Sequence, residues 1–218
     1  MIHAIYGLKG KMISKEQLYK DAIHIEQNMI KENVGSQDQV ATAVGGLNVI
    51  RFAGDKIDVS PVFLPYKIKE EFQSKCMLFF TGFTRYANGI EGDKLKLMEK
   101  KKTDYSNLKE LAEEGINALL DEDFGSIGEL LYEGWKIKKS LSKKVTNDTI
   151  NEIYKKAMNA GADGGKLIGA GGGGFMLLFV NNPWLQDAVR KALEGLVEVP
   201  FKFENEGSKI IYYNGDVL

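Results

Sequence analysis

The 218 residues carry 29 basic against 30 acidic side chains, a formal charge of −1, with 44% hydrophobic residues. That near balance leaves no electrostatic footprint for nucleic acid or for an anionic membrane surface, and the hydrophobic share suits one sizeable or two small globular domains. No stretch is apolar enough to span a bilayer, and Met1-Ile2-His3-Ala4 lacks a charged region followed by an apolar one, so a soluble, cytoplasmic protein without membrane or nucleic-acid partners is expected.

In chain order, residues 2–9 read as the tail of a helix, with Ile2, Ile5, Tyr6 and Leu8 apolar and Gly7 and Gly10 as breakers. Ser14 and Gln17 fit a capping box. Leu18, Ala22, Ile25 and Met29 then recur at helical spacing, which predicts a helix over about 15–30. A polar loop from Asn33 leads into a short helix over 39–44, stopped by Gly45-Gly46. Residues 47–52 and 56–62 alternate as two strands about Gly54-Asp55, a hairpin signal. A charged connector over 67–75 leads to the apolar strand Cys76-Met77-Leu78-Phe79-Phe80, where Cys76, the one cysteine, is expected to be a small core residue.

Helices are predicted at 85–101, 104–120, 123–141 and 147–160. The lysine runs 94–102 and 136–144 read as solvated helix faces. Strands at 165–169 and 174–180, a helix over 183–196, and strands at 197–203 and 208–213 complete the chain. This is an α+β pattern: antiparallel sheet with helices on one face, in two-layer sandwiches, with a boundary near 73 that separates domains 1–73 and 74–218.

The most distinctive stretch is Leu167-Ile168-Gly169-Ala170-Gly171-Gly172-Gly173-Gly174-Phe175, glycines that open into an apolar strand. Four adjacent glycines are entropically costly, and make sense where the chain needs φ > 0 or where backbone N–H groups approach a ligand, most often an anion. The register Gly169-x-Gly171-x-x-Gly174 satisfies a dinucleotide fingerprint, but that motif needs a helix after it and a strand follows here. No G-x-x-x-x-G-K-[ST] occurs. A glycine-rich hairpin turn between buried strands is the alternative. His3 and His24 are not at metal-ligand spacing, and no nucleophile-elbow or Cys-His pattern exists. There remain Asp38, beside helix-start amides, and Glu26 on the preceding helix. An acid so placed suits accepting a hydroxyl proton or holding Mg²⁺; capping the short helix is the structural alternative.

Three ordered blocks resemble the GHMP kinase superfamily: Gly35-Ser36-Gln37-Asp38-Gln39 with Val44-Gly45-Gly46-Leu47-Asn48; Leu78 to Arg85; and Lys166 to Phe175. Within it the chain is most similar to the sugar kinases that phosphorylate an anomeric hydroxyl, heptose-phosphate kinases foremost, with fucokinase and galactokinase further off. The resemblance implies a partial N-terminal domain followed by a ferredoxin-like C-terminal domain, and an ATP-dependent kinase that uses Mg²⁺ and acts on a small sugar or sugar phosphate. It implies Asp38 as the catalytic aspartate and Glu26 as the glutamate near Mg²⁺. Gln37, Gln39, Thr81, Arg85, Gly171, Gly172 and Gly173 are implied as substrate-binding, with Arg85 suited to an anionic sugar substituent. This reading requires Asp38 and the tetraglycine turn to face one groove.

The family's phosphate loop, a Pro-x-Gly-x-Gly-Leu-Gly-Ser-Ser-type segment, is not among these residues. The resemblance therefore implies roughly the C-terminal two thirds of a kinase. Open strand edges in such a chain predict a homo-oligomer or a separate N-terminal polypeptide. A non-catalytic, self-associating α+β module is the alternative.

Overall fold

The computed structural model describes residues 1–32, 34–82, 101–142, 145–169 and 171–214. The chain forms two compact units, Met1–Phe63 with the chain from Lys202 onward, and Leu64–Phe201.

The first unit begins with α1 (Ile2–Leu8) and α2 (Lys15–Ile23). The Ser14 hydroxyl accepts from the Gln17 N–H at 3.1 Å, but the Gln17 amide donates to Asp21 (2.7 Å) instead of returning to Ser14, so only half of the expected box forms. The single helix read over 15–30 is in fact two segments. From His24 to Met29 the ladder widens to a π-helix, with the Ile30 N–H donating to the Ile25 carbonyl at 2.8 Å. The polar loop and α3 (Gln37–Val44) follow. Val40 and Ala43 of α3 are buried with Leu18 and Tyr19 of α2, which makes the small core of this unit. Helix α3 ends where the backbone near Gly207 crosses it: at Gly45 (φ +72°) a Cβ would stand 1.9 Å from the Gly207 nitrogen, so only glycine fits. The Gly46 N–H donates to the Glu204 carbonyl (2.8 Å). Strands β1 (Asn48–Ala53) and β2 (Lys56–Pro61) form the expected antiparallel hairpin, in register from Asn48↔Pro61 to Ala53↔Lys56.

In the second unit the segment over 67–75 is not a connector but α4 (Tyr66–Ser74). After it come β3 (Cys76–Phe80), α5 (Lys102–Leu120), α6 (Phe124–Leu141) and α7 (Asp148–Asn159). Then follow β4 (Gly164–Leu167), β5 (Phe175–Phe179), a 3₁₀ turn (Pro183–Leu185), α8 (Gln186–Ala192) and β6 (Val197–Glu198). The helix expected over 85–101 lies outside the described residues up to Lys100. The sheet is antiparallel in the order β4-β5-β3-β6.

Alternation in the sheet decides what each face buries. Met77, Phe79, Met176, Leu178 and Leu167 point into the main core, where Ile150, Ile153, Tyr154 and Ala157 of α7, Val189 of α8 and Trp135 of α6 meet them. The spacing of the four α7 positions is that of one helical face. Each fully buried side chain of this kind stabilises by ~1.5–3 kcal/mol. The opposite face is not bare, contrary to the one-sided layering expected: Phe72 of α4 lies 6.0 Å from Phe179 and 6.4 Å from Phe124, ring centre to ring centre. The strand expected over 197–203 is two residues long, and 208–213 forms no strand. Instead Ser208 contacts His3 of α1 (3.0 Å), and the Ser208 N–H donates to the Thr42 carbonyl (3.0 Å).

Candidate functional site

The sequence-derived candidates fall into two local groups, Glu26, Gln37, Asp38 and Gln39 in the first unit and Thr81, Gly171, Gly172 and Gly173 in the second. Arg85 lies outside the described residues.

In the first group, the π-helix sets the geometry. A π turn rotates its residues relative to a regular helix, and this one carries Glu26, half-buried, next to α3. The Gln39 side-chain amide donates to the Glu26 carboxylate, so these two candidates are in direct contact. Donation through the Gln39 nitrogen leaves its buried amide oxygen without a partner among the described residues. One residue further, the Gln27 amide donates to the Val34 carbonyl (2.9 Å) and to the Ser36 hydroxyl (3.1 Å), which ties the loop to the π turn just before α3. Gln37 and Asp38 are exposed in the first turn of α3. Asp38 has no hydrogen-bond or ion-pair partner among the described residues. A carboxylate there is favoured by the positive end of the helix and remains available to a ligand. Among the described residues no group of three or more His, Cys, Asp or Glu is placed to hold a metal ion. Glu26 could contribute a single carboxylate to a cation that takes its other ligands from water and phosphate, which is the usual habit of Mg²⁺.

The glycine turn between β4 and β5 is held from several sides. Positive φ occurs at Gly169 (81°), Gly171 (114°), Gly172 (79°) and Gly174 (100°), a path closed to most side chains. Gly171 also passes so close to the chain before α7 that a Cβ would lie 2.7 Å from the Val145 oxygen. The Gly172 N–H donates to that same oxygen (2.8 Å). Asn147 caps α7 by accepting from the Ile150 N–H (2.9 Å), while its amide reaches the Gly172 carbonyl at 3.4 Å. Thr81, only 3% exposed at the end of β3, donates to the Gly174 carbonyl through both its backbone N–H (2.9 Å) and its hydroxyl (2.8 Å). The Lys138 ammonium donates to the carbonyls of Leu167 (3.0 Å) and Gly169 (2.7 Å).

Gln27, Lys138 and Asn147 were not singled out from the sequence. Lys138 sits in a lysine run that looks like a solvated face, and the run does not behave as one: the Lys139 ammonium is 5.8 Å from the ring centres of both Trp135 and Tyr154. Asn147 carried a signal, a capping residue at a helix start, but nothing local announces its second bond.

With this geometry in view, part of the chain can be assigned: residues 105–198 match the family of GHMP kinases C terminal domains. The chain is 36% identical over 203 residues to the D-glycero-alpha-D-manno-heptose 7-phosphate kinase of Campylobacter jejuni, across 90% of this chain and 59% of that protein. It is 25% identical over 204 residues to the bifunctional fucokinase/GDP-fucose pyrophosphorylase of Arabidopsis thaliana, 88% of this chain and 19% of that one. Among solved structures, a D-glycero-D-manno-heptose 1-phosphate kinase from Bacteroides thetaiotaomicron superposes with a TM-score of 0.72 at 26% identity, covering 96% of this chain and 60% of that structure. The chain thus spans about three fifths of the length of the heptose-phosphate kinases it matches. The expected α+β class is the one observed, and the expected family is the one that residues 105–198 match. No helix among the described residues is long and apolar enough to cross a membrane.

Proposed function

We propose that this chain contributes the acceptor-side and glycine-turn machinery of an ATP-dependent sugar kinase in the cytoplasm, one that transfers a phosphoryl group to a hydroxyl of a heptose phosphate or a closely related sugar. The carrying observation is the set of N–H groups that the glycine turn leaves unbonded while its framework holds it. The carbonyls of Leu167, Gly169, Gly172 and Gly174 all accept from framework donors. The N–H groups of Gly169, Gly173 and Gly174 have no partner among the described residues. Those three N–H groups can offer donors to an anion, as backbone nests do, beside the carbonyls of Ile168, Gly171 and Gly173, which likewise bond no described residue. Phosphoryl transfer depends mainly on positioning and on neutralising charge on the transferred group, and fixed N–H donors suit that task. Asp38 then takes the proton of the attacking hydroxyl, a role that an exposed, unpartnered carboxylate supports. Glu26 would supply one carboxylate oxygen to Mg²⁺, which when bound screens the negative charge of the nucleotide phosphates. Gln37 and, if it faces the acceptor sugar, Arg85 complete the recognition of the substrate.

Because the 218 residues hold no Gly-Leu-Gly-Ser-Ser-type segment, the test compares two forms. One is the chain alone. The other is the chain joined, ahead of Met1, to the N-terminal segment of the Campylobacter jejuni relative that it does not span. MgATP and D-glycero-D-manno-heptose 7-phosphate are supplied to both, and to the segment alone as a control. ADP release that depends on the sugar in the joined form, and is absent from the segment, is expected. No turnover in either form would overturn the kinase reading and favour the non-catalytic module.

A further inference from the structure

We propose that Lys138 is a positioning residue: its ammonium bonds two carbonyls at the near half of the glycine turn and so fixes the path by which the chain enters the turn. The use of the turn in phosphoryl transfer rests on the function proposed above, but the clamp itself does not.

A glycine-rich turn has many backbone conformations of similar energy, since its residues lack the Cβ that restricts φ and ψ. Something outside the turn must choose among them. The Val145 carbonyl, the Asn147 amide and Thr81 fix its far half, at Gly172 and Gly174. At its near half, Lys138 bonds the carbonyls on the two sides of Ile168, those of Leu167 at 3.0 Å and Gly169 at 2.7 Å. The Ile168 N–H is itself committed to the Phe175 carbonyl (2.8 Å). The Leu167–Ile168 peptide is thereby held from both sides, its carbonyl by Lys138 and its N–H by the Phe175 carbonyl.

The choice of lysine has a reason. Lys138 lies in the last turn of α6, where a cation is stabilised by the helix C-terminus, and the long stem carries the charge across to the turn. Bonds from an ammonium to carbonyls are charge-assisted and stronger than those between neutral groups. The same cation adds a fixed positive potential next to a turn that offers N–H donors. A neutral side chain of similar length would fill the space without either effect.

The test uses the full chain and hydrogen exchange of backbone amides in wild type, K138M and K138R. We expect K138M to speed exchange at 168–174 at least tenfold, with the amides of β3 and β5 unchanged, and K138R to restore most of the protection. Turn exchange unchanged in K138M would overturn the proposal. So would a rise spread evenly over the second unit, since lysine would then merely support the fold. Should K138M fail to fold, K138Q is read in the same way. In the joined kinase, K138M should lower kcat/KM about tenfold and K138R restore it. If the joined form shows no turnover at all, the exchange data still decide the role of Lys138 while the kinase reading alone fails.

Discussion

The Cys76 thiol donates to the Phe72 carbonyl at 3.4 Å, and burial pushes it up to about 12. The thiolate is the reactive form, so almost none is present at neutral pH. The folded chain should therefore react with iodoacetamide at pH 7.5 at least a hundredfold more slowly than the urea-unfolded chain; equal rates would show that Cys76 is not held as described. The sign of the linkage follows. Above the ordinary thiol range the unfolded chain ionises first, so this group leaves stability untouched at neutral pH and withdraws it as the pH rises toward 12. The place of Asp38 beside helix-start amides was legible from the sequence, whereas Cys76, expected as a small core residue, is partly buried and lies outside the main core. The contact between Gln39 and Glu26 was not, because it depends on the π turn, which repositions Glu26 by an angle that no apolar periodicity records.

Among the elements, those with strong local signals emerged as read: the hairpin about Gly54-Asp55, β3 and β5, and helices α5 to α7. Helix α4 was masked by Lys67, Lys69, Glu70 and Glu71, although Ile68 and Phe72 stand at helical spacing and Phe72 does the packing. The stretch 208–213 shows the converse. Ile210, Ile211, Tyr212 and Tyr213 are β-prone, but the neighbours of this stretch are α1 and the end of α3, and propensity makes no ladder where no strand lies alongside. The glycine turn was legible as a turn, whereas its anchoring by Val145, Lys138 and Asn147 is contributed by residues 25 to 31 positions earlier in the chain. Gly171→Ala tests this anchoring. With φ at 114° and a Cβ 2.7 Å from the Val145 oxygen, both strain and crowding are imposed. A loss of ~3 kcal/mol is expected in denaturant unfolding of the second unit. A change below about 0.5 kcal/mol would mean that the turn does not run against Val145.

For the molecule as a whole, two compact units and the span of about three fifths of its heptose-phosphate relatives frame what the chain can do. Residues 105–198 match the GHMP kinases C terminal family. The chain's chemistry is carried in the proposal by one exposed carboxylate in the first unit and the glycine turn in the second. Asp38 is the sharper of the two to probe, because Asp38→Asn changes charge with almost no change of shape. Its carboxylate bonds to no other described residue, so the fold should be indifferent to the change. The decisive measurement is steady-state ADP release by the joined kinase with D-glycero-D-manno-heptose 7-phosphate, wild type against Asp38→Asn. The proposed function predicts a fall in kcat of about a thousandfold with the KM for MgATP nearly unchanged. A kcat within twofold of wild type would contradict it.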